Sequence, residues 1–401
     1  MGEGGRCGGA VGARCPCHVP PILPGVVVSP WEVAVADQGE LMRRAMALAS
    51  NGLGLASPNP MVGAVVASGD RVVGEGWHEG PGTPHAERMA LAEAGANARG
   101  ATLVVSLEPC SHHGRTPPCT DAIVEAGIGR VVAAIRDPNP LVDGRGFAIL
   151  RAAGIPVEEG VLADEAAELI AGFAKHVTTG LPLVTLKMAG SLDGRAAASD
   201  GSSRWITGEA ARADVHRMRA ASDAIVVGSG TVLADDPALT VRLDGYRGRP
   251  PLRVVVDGTG RVGTAGRLFD GSAPTLVATT HVASTSARED WEAASAEVAV
   301  FEPGDGTRVP LAGLVELLGK RGCTSALIEG GPTLAWAALE ERVVDRIVLY
   351  VAPKLVGGER AAGVLAGRGV ATIADALPVD IRRVERIGED LKVVADVHRD
   401  R

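Results

Sequence analysis

The sequence alternates, in two successive series, between stretches whose apolar residues have helical spacing and short apolar runs of the kind that form strands. Such alternation predicts an α/β fold, in which a mainly parallel sheet is covered by helices on both faces. The alternation stops once, at Thr179-Gly180-Leu181-Pro182, where a glycine can end a helix and a proline forces the chain out of helical geometry. The 401 residues therefore divide into two α/β domains, which we place at residues 37–180 and 181–401.

The individual elements follow from the same patterns. In the first domain they predict helices over residues 40–49, 85–96, 118–126, 146–153 and 163–178, and strands over 61–67, 71–76, 101–107 and 130–135. In the second domain they predict helices over 209–221, 311–321 and 333–339, and strands over 183–188, 224–227, 252–256, 275–278, 326–328, 346–351 and from 390. Residues 1–36 are rich in Gly, Pro and Cys and lack periodicity, so we expect a disordered leader there.

Composition excludes several classes of protein. The 40 Lys and Arg against 48 Asp and Glu give a net charge of −8, which disfavours a basic nucleic-acid-binding face, and the 3% of aromatic residues leave few rings to stack on bases. No apolar run approaches the roughly 18 residues that cross a bilayer. The six cysteines are too few and too unevenly spaced for a disulfide framework. We therefore expect a soluble, cytoplasmic protein that binds neither nucleic acid nor membrane.

Three residues at two helix starts form a candidate zinc site. His85 opens a predicted helix, Cys110 ends a strand-to-helix turn and Cys119 begins the next helix. A hydrolytic zinc site takes three protein ligands and keeps a fourth position open, and one His with two thiolates meets that count. Cys15, Cys17 and His18 are an alternative ligand group, but no second pair follows them at the spacing of a structural zinc site.

Glu87 supplies the proton chemistry that such a site needs. It follows His85 by two residues, so its carboxylate points away from the ligand direction yet stays within reach of a water at the metal. Removal of an aromatic amine requires an activated water, attack on the carbon that bears the amine, and protonation of the leaving ammonia. His-x-Glu with Pro-Cys-x-x-Cys is the signature of zinc deaminases of nucleobases. Here eight residues, Ser111 to Pro118, separate the cysteines instead of two.

The long spacer points to one family. Cys110-Ser111-His112-His113-Gly114-Arg115-Thr116-Pro117-Pro118-Cys119 resembles, position for position, the insert of the bifunctional riboflavin-biosynthesis deaminase-reductases. The runs Asn59-Pro60-Met61-Val62-Gly63, Gly76-Trp77-His78 and Pro84-His85-Ala86-Glu87 resemble the same family in the same order. The resemblance implies that Asn59 and His78 hydrogen-bond the pyrimidine, although Asn before Pro is also a common turn. His112, His113 and Arg115 either face the substrate phosphate or only order the spacer.

The second domain lacks the usual dinucleotide-binding fingerprint. No Gly-x-Gly-x-x-Gly lies between a strand and a helix with an acidic residue about 20 positions on, so a standard Rossmann unit is not supported. Two other stretches, Gly228-Ser229-Gly230-Thr231-Val232-Leu233-Ala234-Asp235-Asp236-Pro237 and Ile328-Glu329-Gly330-Gly331-Pro332-Thr333-Leu334, resemble the reductase half of the same family. The resemblance implies a cytidine-deaminase-like α/β/α domain followed by a dihydrofolate-reductase-like α/β domain. It also implies Zn²⁺ and NADPH as cofactors.

The resemblance also assigns residues of the second domain. It implies contacts with NADPH from Ala189, Trp205, Thr231, Asp235, Gly331, Pro332, Thr333, Leu334, Ala335, Trp336 and Ala337. It implies substrate contacts from Ser203, Arg219, Leu239, Arg242 and Glu329, of which the two arginines suit a ribose phosphate dianion.

Three further residues of the second domain have less specific patterns. Lys187 and Asp193 are candidates for proton delivery or for a structural ion pair. Cys323 is expected to be buried packing rather than a nucleophile.

The family implies two successive reactions on one phosphorylated pyrimidine: hydrolytic deamination of 2,5-diamino-6-(ribosylamino)pyrimidinone 5′-phosphate, then NADPH-dependent reduction of the ribosyl group to a ribityl chain. It also implies a homo-oligomer. Two alternatives remain. One is a deaminase whose second domain is only a scaffold or binding module, and the other is a deaminase or binding protein that acts on nucleic acid.

Overall fold

The structure is a computed structural model that describes residues 37–112 and 117–397, so the predicted leader, with Cys15, Cys17 and His18, lies outside the described residues. The first part of the chain builds one sheet with its covering helices. Its elements are α1 (Gln38–Ala49), β1 (Gly63–Ser68), β2 (Arg71–Trp77), α2 (Ala86–Ala94), β3 (Thr102–Val105), α3 (Cys119–Glu125), β4 (Arg130–Ala133), α4 (Arg145–Ala152), β5 (Val157–Glu159), α5 (Ala163–Leu169) and α6 (Ala171–Thr179).

The first sheet has the strand order β2-β1-β3-β4-β5. Strand β1 is antiparallel to both β2 and β3, whereas the β3–β4 and β4–β5 pairs are parallel. The expectation of a mainly parallel sheet is therefore wrong for this domain. The physical reason is the turn at Gly69 and Asp70, because two strands joined by two residues can pair only as an antiparallel hairpin.

Helices cover both faces of this sheet and make an α/β/α sandwich. Apolar residues of α2, α3 and α4, such as Ala90, Ile123 and Phe147, pack on one face, and α1 and α5 pack on the other. Glycines in the hairpin allow the close approach of the helices. A Cβ atom at Gly63 would lie 1.9 Å from the Ala45 carbonyl oxygen of α1, and one at Gly76 would lie 2.2 Å from the Ala86 carbonyl oxygen of α2.

The remaining elements form a second, nine-stranded sheet. They are β6 (Leu183–Ser191), α7 (Glu209–Ala220), β7 (Ala224–Gly228), α8 (Ser229–Asp235), β8 (Leu252–Val256), β9 (Thr275–Thr280), α9 (Thr285–Ala293), β10 (Glu297–Phe301), α10 (Leu311–Lys320), β11 (Ser325–Ile328), α11 (Pro332–Glu340), β12 (Arg346–Ala352), β13 (Val379–Ile387) and β14 (Asp390–Val397). The strand order is β10-β9-β8-β7-β11-β6-β12-β14-β13. All pairs from β10 to β12 are parallel and the last two are antiparallel, so the expectation of a mainly parallel sheet is confirmed here.

The chain leaves β7 and β11 toward opposite faces of this sheet. Val232 of α8 packs in the core that includes Ile225 and Trp291, whereas Ala335 of α11 packs in the core on the other face, with Leu314 of α10. Adjacent parallel strands whose following helices diverge in this way open a crevice at their carboxyl ends, where ligands bind in α/β folds. The carboxyl ends of β7 and β11 therefore mark the candidate site of the second domain.

Helices and a loop of the first domain contact the opposite edge of the second sheet, where its parallel strands begin. The predicted helix over 163–178 is two helices, because Ile170 leaves helical geometry at φ −110° and ψ 15° and buries its side chain between them. Both helices bind the start of β12. Glu168 accepts a hydrogen bond from Arg346 at 3.0 Å, and Lys175 pairs with Asp345. Within the described ranges, no helix combines the length and apolar character needed to cross a bilayer.

Candidate functional site

The three predicted metal ligands converge. Nδ1 of His85 lies 3.5 Å from Sγ of Cys110 and 3.3 Å from Sγ of Cys119, and the three donor atoms all lie within 4.8 Å of one another. His85 directly precedes α2, Cys110 follows β3 and Cys119 is the first residue of α3. The sequence spacing is large, but the carboxyl end of β3 brings the three elements together.

The donor set suits a divalent zinc ion. The two thiols are hydrogen-bonded to each other, which lowers the pKa of Cys110 and raises that of Cys119, so the pair shares one proton. The backbone N–H of Cys119 also donates to Sγ of Cys110 at 3.4 Å. One imidazole nitrogen and two sulfurs are the three protein ligands of a hydrolytic zinc centre with a fourth position free for water or substrate.

Glu87 lies beside this cluster in the first turn of α2. Its side chain is 3% exposed, and its carboxyl group is hydrogen-bonded to Cys119. Burial, reinforced by the negative charge of Cys110, raises the pKa of Glu87 to about 7. A carboxyl group with that pKa can accept and return a proton near neutral pH.

His78 and Asn59 flank the same centre. Nδ2 of Asn59 donates to Nε2 of His78 at 2.9 Å, and Nδ1 of His78 donates to the Pro84 carbonyl oxygen at 3.3 Å. Burial lowers the pKa of His78, so the ring is neutral and this pair of contacts fixes its tautomer. The rings of His78 and His85 are 5.3 Å apart in an edge-to-face arrangement.

Glu108 is a residue of this site that the sequence analysis did not single out. Its buried carboxylate accepts four backbone hydrogen bonds, from Asp137 at 3.1 Å, Gly144 at 2.9 Å, Gly146 at 2.8 Å and Phe147 at 3.4 Å. It thereby ties the loop that carries Cys110 to the start of α4. A charged residue directly after a buried strand was the signal that could have found it.

The spacer between the cysteines is described only in part. His112 is described and exposed, whereas His113 and Arg115 lie outside the described residues. The predicted choice between phosphate contact and ordering of the spacer therefore stays open.

In the second domain, Arg219 and Glu329 form a buried ion pair. Nε and Nη2 of Arg219 donate to the two carboxylate oxygens of Glu329 at 2.6 and 2.9 Å, and Nη1 donates to the Thr240 carbonyl oxygen at 3.2 Å. Burial favours a higher pKa for Glu329, but the Arg219 charge and hydrogen bonds lower it below the ordinary value. Arg219 is not a surface arginine, and all of its guanidinium nitrogens already bind protein groups.

Lys187 belongs to the same buried group. Burial lowers its pKa, while the nearby charge of Glu329 opposes that shift. Asp193, the other candidate for proton delivery, does not pair with Lys187 in the part of the chain that the structure describes. It accepts hydrogen bonds from Ser191 Oγ at 2.5 Å and from the backbone of Val356 and Gly357 at 3.1 and 2.6 Å, and so holds the loop after β12.

Two of the predicted cofactor residues, Thr231 and Gly331, meet beside the carboxyl ends of β7 and β11. Gly331 caps the start of α11, and its N–H donates to Oγ1 of Thr231 in α8 at 3.0 Å, which joins the two diverging helices. The indole N–H of Trp336 is buried and has no hydrogen-bond acceptor among the described residues. The amino end of a helix and a buried donor without an acceptor among the described residues fit a phosphorylated dinucleotide such as NADPH.

The other predicted residues of this domain occupy several positions. Trp205 is 64% exposed under the guanidinium of Arg212, and Asp235 accepts a hydrogen bond from Arg204 at 3.3 Å. The backbone N–H of Arg242 donates to His216 at 3.2 Å. The rest are Ala189 within β6, half-buried Ser203, buried Leu239, and the α11 residues Pro332, Thr333, Leu334, Ala335 and Ala337. Cys323 is buried and its pKa is raised to about 12, which confirms the expectation of packing.

Comparisons with known proteins agree with both the predicted deaminase domain and the predicted reductase domain. Residues 36–135 match the family model described as "Cytidine and deoxycytidylate deaminase zinc-binding region", and residues 182–393 match "RibD C-terminal domain". The chain is 43% identical over 361 residues to "Riboflavin biosynthesis protein RibD" of Escherichia coli K12, which covers 87% of this chain and 96% of that protein. It is 45% identical to the protein of the same name from Mycobacterium tuberculosis H37Rv, over 84% of this chain and 91% of that protein.

Solved structures similar to this chain come from the same family of proteins. The chain resembles RibD of Acinetobacter baumannii, form 1, with a TM-score of 0.80 and 39% identity over 90% of this chain and 99% of that one. It also resembles the diaminohydroxyphosphoribosylaminopyrimidine deaminase/5-amino-6-(5-phosphoribosylamino)uracil reductase of Thermotoga maritima, with a TM-score of 0.78 and 37% identity over the same shares. Zn²⁺ and NADPH are the cofactors that the two domains imply. The chain therefore belongs to the RibD family of riboflavin biosynthesis, as a bifunctional enzyme with a deaminase domain followed by a reductase domain.

Proposed function

We propose that the first domain removes the amino group of 2,5-diamino-6-(ribosylamino)pyrimidinone 5′-phosphate as ammonia, and that the second domain then reduces the ribosyl group to a ribityl chain with NADPH. The observation that carries this proposal is the convergence of His85, Cys110 and Cys119 with buried Glu87 beside them. The proposed domains are residues 37–180 and 181–401. Cytoplasmic location and homo-oligomeric assembly stay predictions.

In the deaminase domain each residue has one task. His85, Cys110 and Cys119 would hold the zinc ion, which when bound supplies a Lewis acid that makes water a nucleophile near neutral pH. Glu87 takes a proton from the attacking water and returns it to the leaving amine. Asn59 and His78 orient the pyrimidine, since the hydrogen bond between them holds both side chains beside His85.

In the reductase domain, the start of α11 and Thr231 would hold NADPH, which when bound supplies the hydride for C1′ of the ribosyl group. Lys187 then supplies the proton that the opening of the sugar requires. We favour Lys187 over Asp193 because Asp193 already accepts three hydrogen bonds, from Ser191 and from the loop after β12. Glu329, which Arg219 holds in place, attracts the Lys187 ammonium, and Arg242, which is exposed, would bind the phosphate.

The test measures ammonia release and NADPH oxidation together, with purified zinc-loaded protein and the diaminopyrimidinone ribosyl phosphate as substrate. We expect ammonia first and NADPH oxidation second, with both absent in Glu87→Ala. Ammonia without NADPH oxidation would leave the second domain as a scaffold. If folded, zinc-loaded protein gives neither ammonia nor NADPH oxidation, the proposed function is contradicted. Retardation of RNA in a gel at physiological salt would then support the nucleic-acid alternative.

A further inference from the structure

One segment of the reductase domain reaches the deaminase domain. The bridging segment, residues 240–250, connects α8 to β8 and brings Arg249 against the loop of residues 52–59. The backbone N–H of Arg249 donates to the Gly54 carbonyl oxygen at 3.0 Å, and its guanidinium donates to the Ser57 carbonyl oxygen. The reductase domain therefore supplies two hydrogen bonds to the backbone of a loop in the other domain.

Tyr246 packs into the same contact between the two domains. Its hydroxyl donates to the Arg249 carbonyl oxygen at 2.9 Å, and its ring lies against Gly54. A Cβ atom at Gly54 would be 2.2 Å from the Tyr246 hydroxyl oxygen, and Gly54 also has a φ of +70°. Only glycine accommodates both conditions without strain, so the loop and the bridging segment are shaped to each other.

The loop leads directly to the deaminase site. Asn59 is two residues beyond Ser57, its N–H donates to the Ala56 carbonyl oxygen at 2.9 Å, and its side chain donates to His78. His78 in turn lies against the ring of the zinc ligand His85. A shift of the Ser57 carbonyl is therefore transmitted to the Asn59 amide through one intervening residue, Pro58, whose ring restricts the backbone.

We propose that Arg249 is a positioning residue for deamination, which acts from the reductase domain through Ser57 on the side chain of Asn59. The inference rests on the proposed role of Asn59 in binding the pyrimidine. Removal of the guanidinium leaves the Ser57 carbonyl without its charged donor and lets the loop adopt other conformations. His85, Glu87 and Cys119 lie at the starts of α2 and α3, and Cys110 lies in the loop after β3. The hydrogen bonds of Arg249 reach none of them among the described residues, so the effect falls on substrate binding.

The test compares Arg249→Ala, Arg249→Lys and the matched control Arg247→Ala, which alters an exposed residue of the same segment. All are full-length and zinc-loaded. We expect Arg249→Ala to raise KM for deamination about tenfold and to change kcat by less than about twofold. A tenfold change in KM is what the loss of one charged hydrogen bond would cause. Arg249→Lys restores most of the KM, and Arg247→Ala matches the parent protein. Reduction of substrate that is already deaminated, which reports the fold of the reductase domain, stays unchanged.

A second readout does not depend on activity. The amides of Leu55, Ala56 and Asn59 are hydrogen-bonded within the loop, and we expect their hydrogen exchange to be about tenfold faster in Arg249→Ala but not in Arg247→Ala. An unchanged exchange rate overturns the inference. So does faster exchange with an unchanged KM in a protein that deaminates its substrate. If exchange is faster and even the parent protein releases no ammonia, the proposed function has failed while the contact itself stands.

Discussion

At the scale of single residues, Glu87 separates the two activities. We expect Glu87→Gln to lower the rate of ammonia release by at least about 100-fold, because the amide can neither take up nor return the proton. Zinc content and the reduction of already deaminated substrate stay at the parent level, since Glu87 is not one of the three ligands. Glu93→Gln, a change near the end of the same helix, is the control, and equal loss in both variants would contradict the assigned role.

The Arg219–Glu329 pair supports a prediction about stability. Arg219→Leu leaves a carboxylate that is 7% exposed without its partner, and we expect it to lower the free energy of unfolding by about 3–5 kcal/mol, measured with urea at pH 7. Arg217→Leu on the same helix removes an arginine that is 46% exposed and should change it by under about 1 kcal/mol. Equal losses of unfolding free energy in the two variants would show that the buried pair stabilises the fold no more than an exposed arginine does.

The same pair predicts a pH dependence. The pKa of Glu329 is lowered in the folded protein, so the unfolded chain binds the proton more tightly and the pair stabilises the fold above the ordinary carboxyl pKa of about 4.3. That contribution is lost as the pH falls through the folded pKa. The difference in unfolding free energy between the parent protein and Arg219→Leu should therefore shrink as the pH falls below about 4.3 and through the lowered pKa of Glu329. A difference that grows on acidification would contradict the assignment.

At the scale of elements, the placement of α2 depends on the glycines of the hairpin. A Cβ at Gly76 would lie 2.2 Å from the Ala86 carbonyl oxygen, so Gly76→Ala must push α2, with His85 and Glu87, away from β2. We expect a loss of about 1–3 kcal/mol in stability and a measurable loss of bound zinc by metal analysis. Gly263→Ala, where a Cβ meets nothing within 4 Å, is the control. Full zinc content in Gly76→Ala would contradict the prediction.

The elements also show what the sequence could and could not predict. The zinc ligands were found because His-x-Glu and the two cysteines lie in short runs with a chemical meaning. The Arg219–Glu329 pair was not found as a pair, since its residues are 110 positions apart. Helix α9 was missed because Trp291 is its single buried residue, and β13 because it is a charged edge strand with no buried face. Patterns of apolar residues report burial, and these elements bury little.

At the scale of the whole molecule, the two sites lie toward opposite edges of the reductase sheet. The deaminase domain contacts the amino edge, through Thr324 before β11 and Arg346 at the start of β12. Glu329 and Gly331, which follow β11, lie at the carboxyl edge. We therefore expect the product of the first reaction to leave its site before it is reduced. Contacts such as that of Arg249 with Ser57, 192 positions apart, link the two domains mechanically.

This arrangement predicts that the two reactions can be carried out by different chains. We expect an equimolar mixture of Glu87→Gln and Lys187→Met to convert the diaminopyrimidinone substrate fully to the ribityl product, because the deaminated intermediate is released to solvent. Each variant alone stops at a different point: Glu87→Gln accumulates substrate, and Lys187→Met accumulates the deaminated ribosyl compound with no NADPH oxidation. Chromatography of the mixture over time should show that compound rise and then fall. A mixture that accumulates the intermediate and never reduces it would contradict this prediction. It would show that the product of deamination is passed only within one chain, along a closed path between the two separate sites.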